Sequence, residues 1–131
     1  MRILIFDTNV VFAHWVGKIL QTHLKSVELA YAHDQFVLLR RLEDKAGYDL
    51  VLADVEATHD SQDVLATLHQ SGAEVVLWSN LKSCPVHAFD GKKIGCLLKP
   101  ESAAGVALMA DMVKQRSSDH LQTVQPVLQS A

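Results

Sequence analysis

Four polar residues stand at the ends of apolar runs: Asp7 after Ile3-Leu4-Ile5-Phe6, Asp54 after Leu50-Val51-Leu52-Ala53, Ser79 after Val75-Val76-Leu77-Trp78, and Lys99 after Cys96-Leu97-Leu98. Brought together, two carboxylates, a hydroxyl and an ammonium suit a hard cation and a phosphoryl group. Magnesium takes one or two carboxylates, waters and phosphate oxygens. Lysine meets phosphate as a point charge, and a serine hydroxyl can donate to a phosphoryl oxygen. A carboxylate can itself be the nucleophile and become an acyl phosphate. Singly, each residue is no more than a turn former or helix cap. The combination is specific, because each residue type matches one task in phosphoryl transfer.

The runs that carry these residues alternate with amphipathic segments. Strands are expected over Arg2–Phe6, Val27–Ala32, Tyr48–Ala53, Glu74–Trp78 and Ile94–Leu98. Between the first two, Phe12, Trp15, Val16, Ile19 and Leu20 recur at helical spacing, which predicts a helix over Val11–Leu24. Asp34 can cap a second helix that buries Phe36, Leu39 and Leu42 and stops near Gly47. Asp60 or Ser61 starts a third, with Val64, Leu65 and Leu68 inward and Gly72 beyond its end. The stretch Leu81–Lys92 is ambiguous; Pro85 can begin a weak helix. Ser102 can cap a last helix through Arg116 that buries Val106, Ala110 and Val113. Residues 117–131 turn polar and read as a flexible tail behind a single domain, 1–116.

Continuous apolar strands with intervening helices imply a parallel sheet covered on both faces, a three-layer α/β/α fold. Right-handed crossovers put all strand ends on one edge. Five strands in this alternation suggest the flavodoxin-like order 2-1-3-4-5, which makes strands 1 and 3 neighbours and their crevice the binding site. Asp7 and Asp54 would then face each other.

Here the sequence resembles the response-regulator receiver (CheY-like) family of two-component signalling. The resemblance runs from Met1 to about Arg116. It is carried by Ile3-Leu4-Ile5-Phe6-Asp7-Thr8-Asn9, by Ala46-Gly47-Tyr48-Asp49-Leu50-Val51-Leu52-Ala53-Asp54, by Val75-Val76-Leu77-Trp78-Ser79 and by Leu97-Leu98-Lys99-Pro100. It implies that Asp54 accepts a phosphoryl group from a sensor histidine kinase or a phosphotransfer protein. By the same resemblance, Asp7, Asp54 and the backbone carbonyl of Glu56 hold Mg2+, Ser79 and Lys99 contact the phosphoryl oxygens, and the Lys99–Pro100 bond is cis. The output would pass to a downstream protein, or to a second copy of the chain, through the surface of the family's fourth helix, fifth strand and fifth helix. Such a protein is a cytoplasmic signalling domain rather than an enzyme, with at most magnesium-dependent self-phosphorylation and self-dephosphorylation.

The chain departs from the family pattern. Thr8 stands where a second acid is usual, so the expected magnesium site is weak. Cys96 stands where the family has an aromatic residue. The segment from Asp54 to Ser79 is short and lacks the usual Met-Pro and Asp-Gly loop. A degenerate receiver that binds partners without phosphorylation is therefore the alternative reading.

Asp7-Thr8-Asn9-Val10-Val11 also resembles the opening of PIN-domain ribonucleases, which need further acids to activate water on metal ions. Glu43 is a candidate, but it lies in a charged run and leaves Ser79 and Lys99-Pro100 unexplained. A haloacid-dehalogenase-like phosphatase would need its second aspartate at Asn9 and an acidic motif after Lys99, which is not there. The net charge of −3 gives no footprint for nucleic acid or an anionic membrane. Cys84 and Cys96 have no metal-ligand spacing and read as reduced thiols. No apolar run is long enough to span a bilayer, and the start of the chain does not read as a secretory signal. The seven histidines show no convincing ligand spacing; His59 follows Asp54 closely but is read as a loop residue. Trp15 and Trp78 are expected in the core.

Overall fold

The computed structural model describes residues 1–54, 62–80, 87–89, 92–94 and 96–124. The chain runs β1 (Arg2–Phe6), α1 (Val10–His23), β2 (Glu28–Ala32), α2 (Gln35–Leu42), β3 (Leu50–Asp54), α3 (Gln62–Gln70), β4 (Glu74–Ser79), β5 (His87–Phe89), β6 (Lys92–Ile94), β7 (Cys96–Leu98) and α4 (Ala103–Val124). Five strands form one sheet in the order β2-β1-β3-β4-β7, all pairs parallel. Taking β7 as the fifth strand, this is the expected 2-1-3-4-5 arrangement.

Alternation along the central strands divides the core in two. Ile3, Ile5, Leu50, Leu52, Val76 and Trp78 face α1 and α4, while Leu4, Phe6, Val51, Ala53 and Leu77 face α2 and α3. Ile3, Leu4, Ile5 and Phe6 are each fully buried. At about 1.5–3 kcal/mol per large apolar side chain, that places β1 among the strongest contributors to the fold. Gly17 lets α1 lie close to β2, since a methyl group there would collide with the Tyr31 hydroxyl. Burial pushes the Tyr31 phenol above its usual pKa.

The start of β1 carries an exposed ion-pair cluster. Arg2 pairs with Glu28 at 3.2 Å and Asp44 at 2.9 Å, and its guanidinium lies 4.7 Å from the centre of the Tyr48 ring. Its hydrogen bond lowers the Asp44 carboxyl below the ordinary aspartate value, helped by the Ala46 amide.

Several expectations need correction. In α2 the inward residue is Leu38, fully buried, with Val37 and Leu42 beside it, whereas Phe36 is 86% exposed and Leu39 is also exposed. The Asp34 cap forms as expected, its Oδ1 accepting from Val37 N at 2.8 Å, and the stripe that meets the sheet runs through Leu38 and Leu42. That helix ends at Leu42 rather than near Gly47, which instead takes a positive φ of 69° on the way into β3. Ile94 does not belong to the fifth sheet strand. It lies in a separate antiparallel pair, β5 with β6, in which Phe89 faces Lys92. The two intervening residues are Asp90-Gly91, a pair that favours two-residue hairpin loops. Pro85, the expected start of a weak helix, lies outside the described residues, as do Asp60 and Ser61. The last helix passes Arg116 and continues to Val124. No glycine or proline interrupts the chain between Gly105 and Pro126, so nothing local stops it. Residues 125–131 of the expected tail lie outside the described residues.

Among the described residues, no helix is long and apolar enough to cross a membrane.

Candidate phosphoacceptor site

The ladder geometry delivers each polar residue to the same sheet edge. Asp7 extends β1, and its amide donates to Ala32 O at 3.0 Å. Its carboxylate Oδ1 accepts from Asn9 N at 2.8 Å. Asn9 in turn caps α1, its Oδ1 accepting from Phe12 N at 3.0 Å. The Asp7 carbonyl oxygen lies 3.0 Å from His33 Nδ1, which is the distance of an accepted hydrogen bond. Asp54 ends β3 opposite Trp78 of β4, and Ser79 follows Trp78. Lys99 leaves β7 with its amide on Ser79 O at 2.7 Å.

All four are buried: Asp7 is 1%, Asp54 4%, Ser79 0% and Lys99 8% exposed. Lys99 Nζ lies 2.9 Å from Asp7 Oδ2 and 3.3 Å from Asp54 Oδ1. One ammonium thus serves two carboxylates, leaving a buried formal charge of about −1. Asp7 Oδ2 takes no hydrogen bond with good angles, so its attraction to Lys99 is chiefly Coulombic. On the other side of Lys99 stand two rings. The ammonium is 5.4 Å from the centre of Phe12 and 6.0 Å from that of Trp78.

The residues Asp7, Asp54, Ser79 and Lys99 therefore stand together, as the spacing of apolar runs suggested. Thr8 is exposed beside them. Glu56 and His59 lie outside the described residues. The Lys99–Pro100 bond is trans, since no cis peptide occurs among the described residues; this corrects the resemblance. The trans form is the favoured isomer of an X–Pro bond, and with it Lys99 already reaches both acids. Glu43, the acid that a PIN-like reading would need, is the exposed C-cap of α2. Its neighbour Asp44 binds Arg2 at the start of β1, the far edge from Asp7. The sequence reading did not place Phe12 or His33 at this site. The signal for Phe12 was the Asn9 cap, which sets the first turn of α1 directly over the end of β1.

The sequence matches no family model and no curated protein. The fold does match solved structures. The receiver domain of the hybrid histidine kinase CckA is 24% identical with a TM-score of 0.65, over 88% of this chain and 97% of that one. The response regulatory domain of MrkE from Klebsiella pneumoniae is 18% identical with a TM-score of 0.69, over 91% and 99%. A response regulator from Burkholderia pseudomallei, with a phosphorylated aspartic acid, a calcium ion and citrate, is 16% identical with a TM-score of 0.55, over 98% and 84%. This chain has the receiver fold. Its Asp7 and Asp54 end the first and third strands of that fold, Ser79 the fourth, and Lys99 follows the fifth.

Proposed function

We propose that this receiver-fold chain is a phosphoacceptor signalling domain with Asp54 as the acceptor. The observation that carries this is the buried cluster in which Lys99 bridges Asp7 and Asp54 at the strand 1 and strand 3 ends. An Asp54 carboxylate oxygen attacks phosphorus of a phosphohistidine in line. The phosphorus–nitrogen bond breaks, the imidazole leaves with the electron pair, and an acyl phosphate forms. Lys99 supplies positive charge to the transferred oxygens, and the Ser79 hydroxyl donates to one of them. The protein's work is position and electrostatics.

The donor set also suits a divalent cation. Asp7 Oδ2 is a buried carboxylate oxygen without a hydrogen bond, the surplus charge is negative, and the donors are hard oxygens. Asp7 and Asp54 would hold Mg2+, with the Glu56 carbonyl as a third donor. The ion would neutralise charge on the transferred group. The response regulator with a phosphorylated aspartic acid and a calcium ion shares this fold and supports the reading.

Incubation with acetyl phosphate and magnesium should add one phosphoryl mass, released by hydroxylamine as an acyl phosphate is. A chain that gains no mass under saturating donor and magnesium would instead be a phosphorylation-independent interaction module. Because Thr8 offers a neutral hydroxyl in place of an acid, magnesium binding should be weak. Thr8→Asp should tighten it about tenfold or more, read by Trp78 fluorescence, since a carboxylate adds both charge and a hard ligand. Equal affinities would mean that other oxygens already complete the site.

The signal would leave through the β7 and α4 surface, where Leu98, Leu108 and Met112 are exposed. A second copy of the chain fits this face as a partner. Sedimentation showing a monomer at high concentration, with and without a phosphate mimic, would remove that part of the proposal. The donor would be a sensor kinase or phosphotransfer protein of the cytoplasm.

A further inference from the structure

Lys99 is held from two sides, and only one of them is acidic. Phe12 and Trp78 lie with ring centres 5.2 Å apart and planes inclined at 59°, forming a wedge. The Lys99 ammonium lies 5.4 Å and 6.0 Å from the two centres. Each ring is tied to one of the acids. Phe12 N is bonded to the Asn9 cap, and Asn9 N to Asp7. Trp78 is the register partner of Asp54. Trp78 is fully buried, and its indole N–H has no hydrogen-bond partner, so the indole acts here through its ring rather than through its donor.

We propose that Phe12 and Trp78 form an aromatic seat that positions the Lys99 ammonium against Asp7 and Asp54. The ring faces replace water around the charge, and their negative quadrupoles attract it. An ammonium held this way needs little reorganisation when a phosphoryl oxygen arrives. Both residues are positioning residues, acting through Lys99. The kinetic half of this inference rests on the phosphoacceptor reading; the spectroscopic half does not.

The test uses the full chain and the Phe12 variants, because Phe12 is half-buried on α1 and its replacement alters no residue of the sheet, although its ring packs on Trp78. The ε-methylene protons of Lys99, assigned with Lys99→Met, should resonate upfield of the ordinary lysine position because of ring currents. Phe12→Leu should move them toward that position, and Phe12→Tyr should restore them. The phosphorylation rate from acetyl phosphate at saturating magnesium should fall about two- to thirtyfold in Phe12→Leu, the worth of a partly to fully desolvated cation–π contact. It should return in Phe12→Tyr. Ordinary Lys99 shifts in the unmodified protein would overturn the seat. A Phe12→Leu protein with altered shifts and an unchanged rate would overturn its positioning role. If the unmodified chain takes no phosphoryl group, the phosphoacceptor reading and the positioning role fall together, while the shifts still decide whether the seat exists.

Discussion

Lys99→Met should destabilise the fold by about 3–5 kcal/mol at neutral pH, the usual cost of removing one partner from a buried ion pair. Methionine matches the length of the stem, so packing changes little and the loss is electrostatic. Asp7 and Asp54 would be left buried together without their shared cation. The deficit should shrink in millimolar magnesium, because a bound cation would restore positive charge beside the two carboxylates. Urea midpoints with and without magnesium measure this. A deficit below about 1 kcal/mol would mean that solvent reaches the acids and that Lys99 is not what balances them.

Asp54→Asn should have opposite effects on chemistry and on stability. It should abolish phosphoryl gain outright, since an amide cannot form the acyl phosphate. It should also raise unfolding free energy by about 1 kcal/mol. Both carboxylates lie within ion-pair reach of one ammonium, at 2.9 Å and 3.3 Å, close enough for their like charges to repel. Asparagine relieves that while giving up part of the attraction to Lys99, and Asp7 keeps the ammonium to itself at 2.9 Å. Mass spectrometry and thermal unfolding on the same preparation read both effects. Phosphorylation that survives in Asp54→Asn would move the acceptor elsewhere. A lower melting temperature would show that Asp54 is bound more by hydrogen bonds than strained by Asp7.

The parts of this fold that could be read from the sequence are the unbroken apolar runs and the polar residues that end them. Every residue from Ile3 to Phe6 is apolar, so β1 had to be buried on both faces. The end of such a strand is where a polar residue such as Asp7 becomes affordable. Strand order then brought Asp7 beside Asp54, and Ser79 and Lys99 followed. Helix rotation was less legible. Phe36, Leu38, Leu39 and Leu42 allow more than one apolar stripe behind the same Asp34 cap, and packing against the sheet selects Leu38 and Leu42. The β5–β6 pair was signalled by Asp90-Gly91, but its strands are too short for alternation to show. The wedge of Phe12 and Trp78 depends on two distant elements meeting. Each residue alone reads correctly as core, and its second role is visible only in three dimensions.

The hydrogen bonds from Asp7 N to Ala32 O and from Lys99 N to Ser79 O carry the sheet's ladders one rung past the strands. The backbones of Asp7 and Lys99 are therefore tied to the sheet by its own ladders. Both bonds tie an edge strand to its inner neighbour, β2 to β1 and β7 to β4. The floor of the crevice, with Asp54 and Ser79 inside strands and Asp7 and Lys99 one rung beyond them, thus shares the fate of the sheet itself.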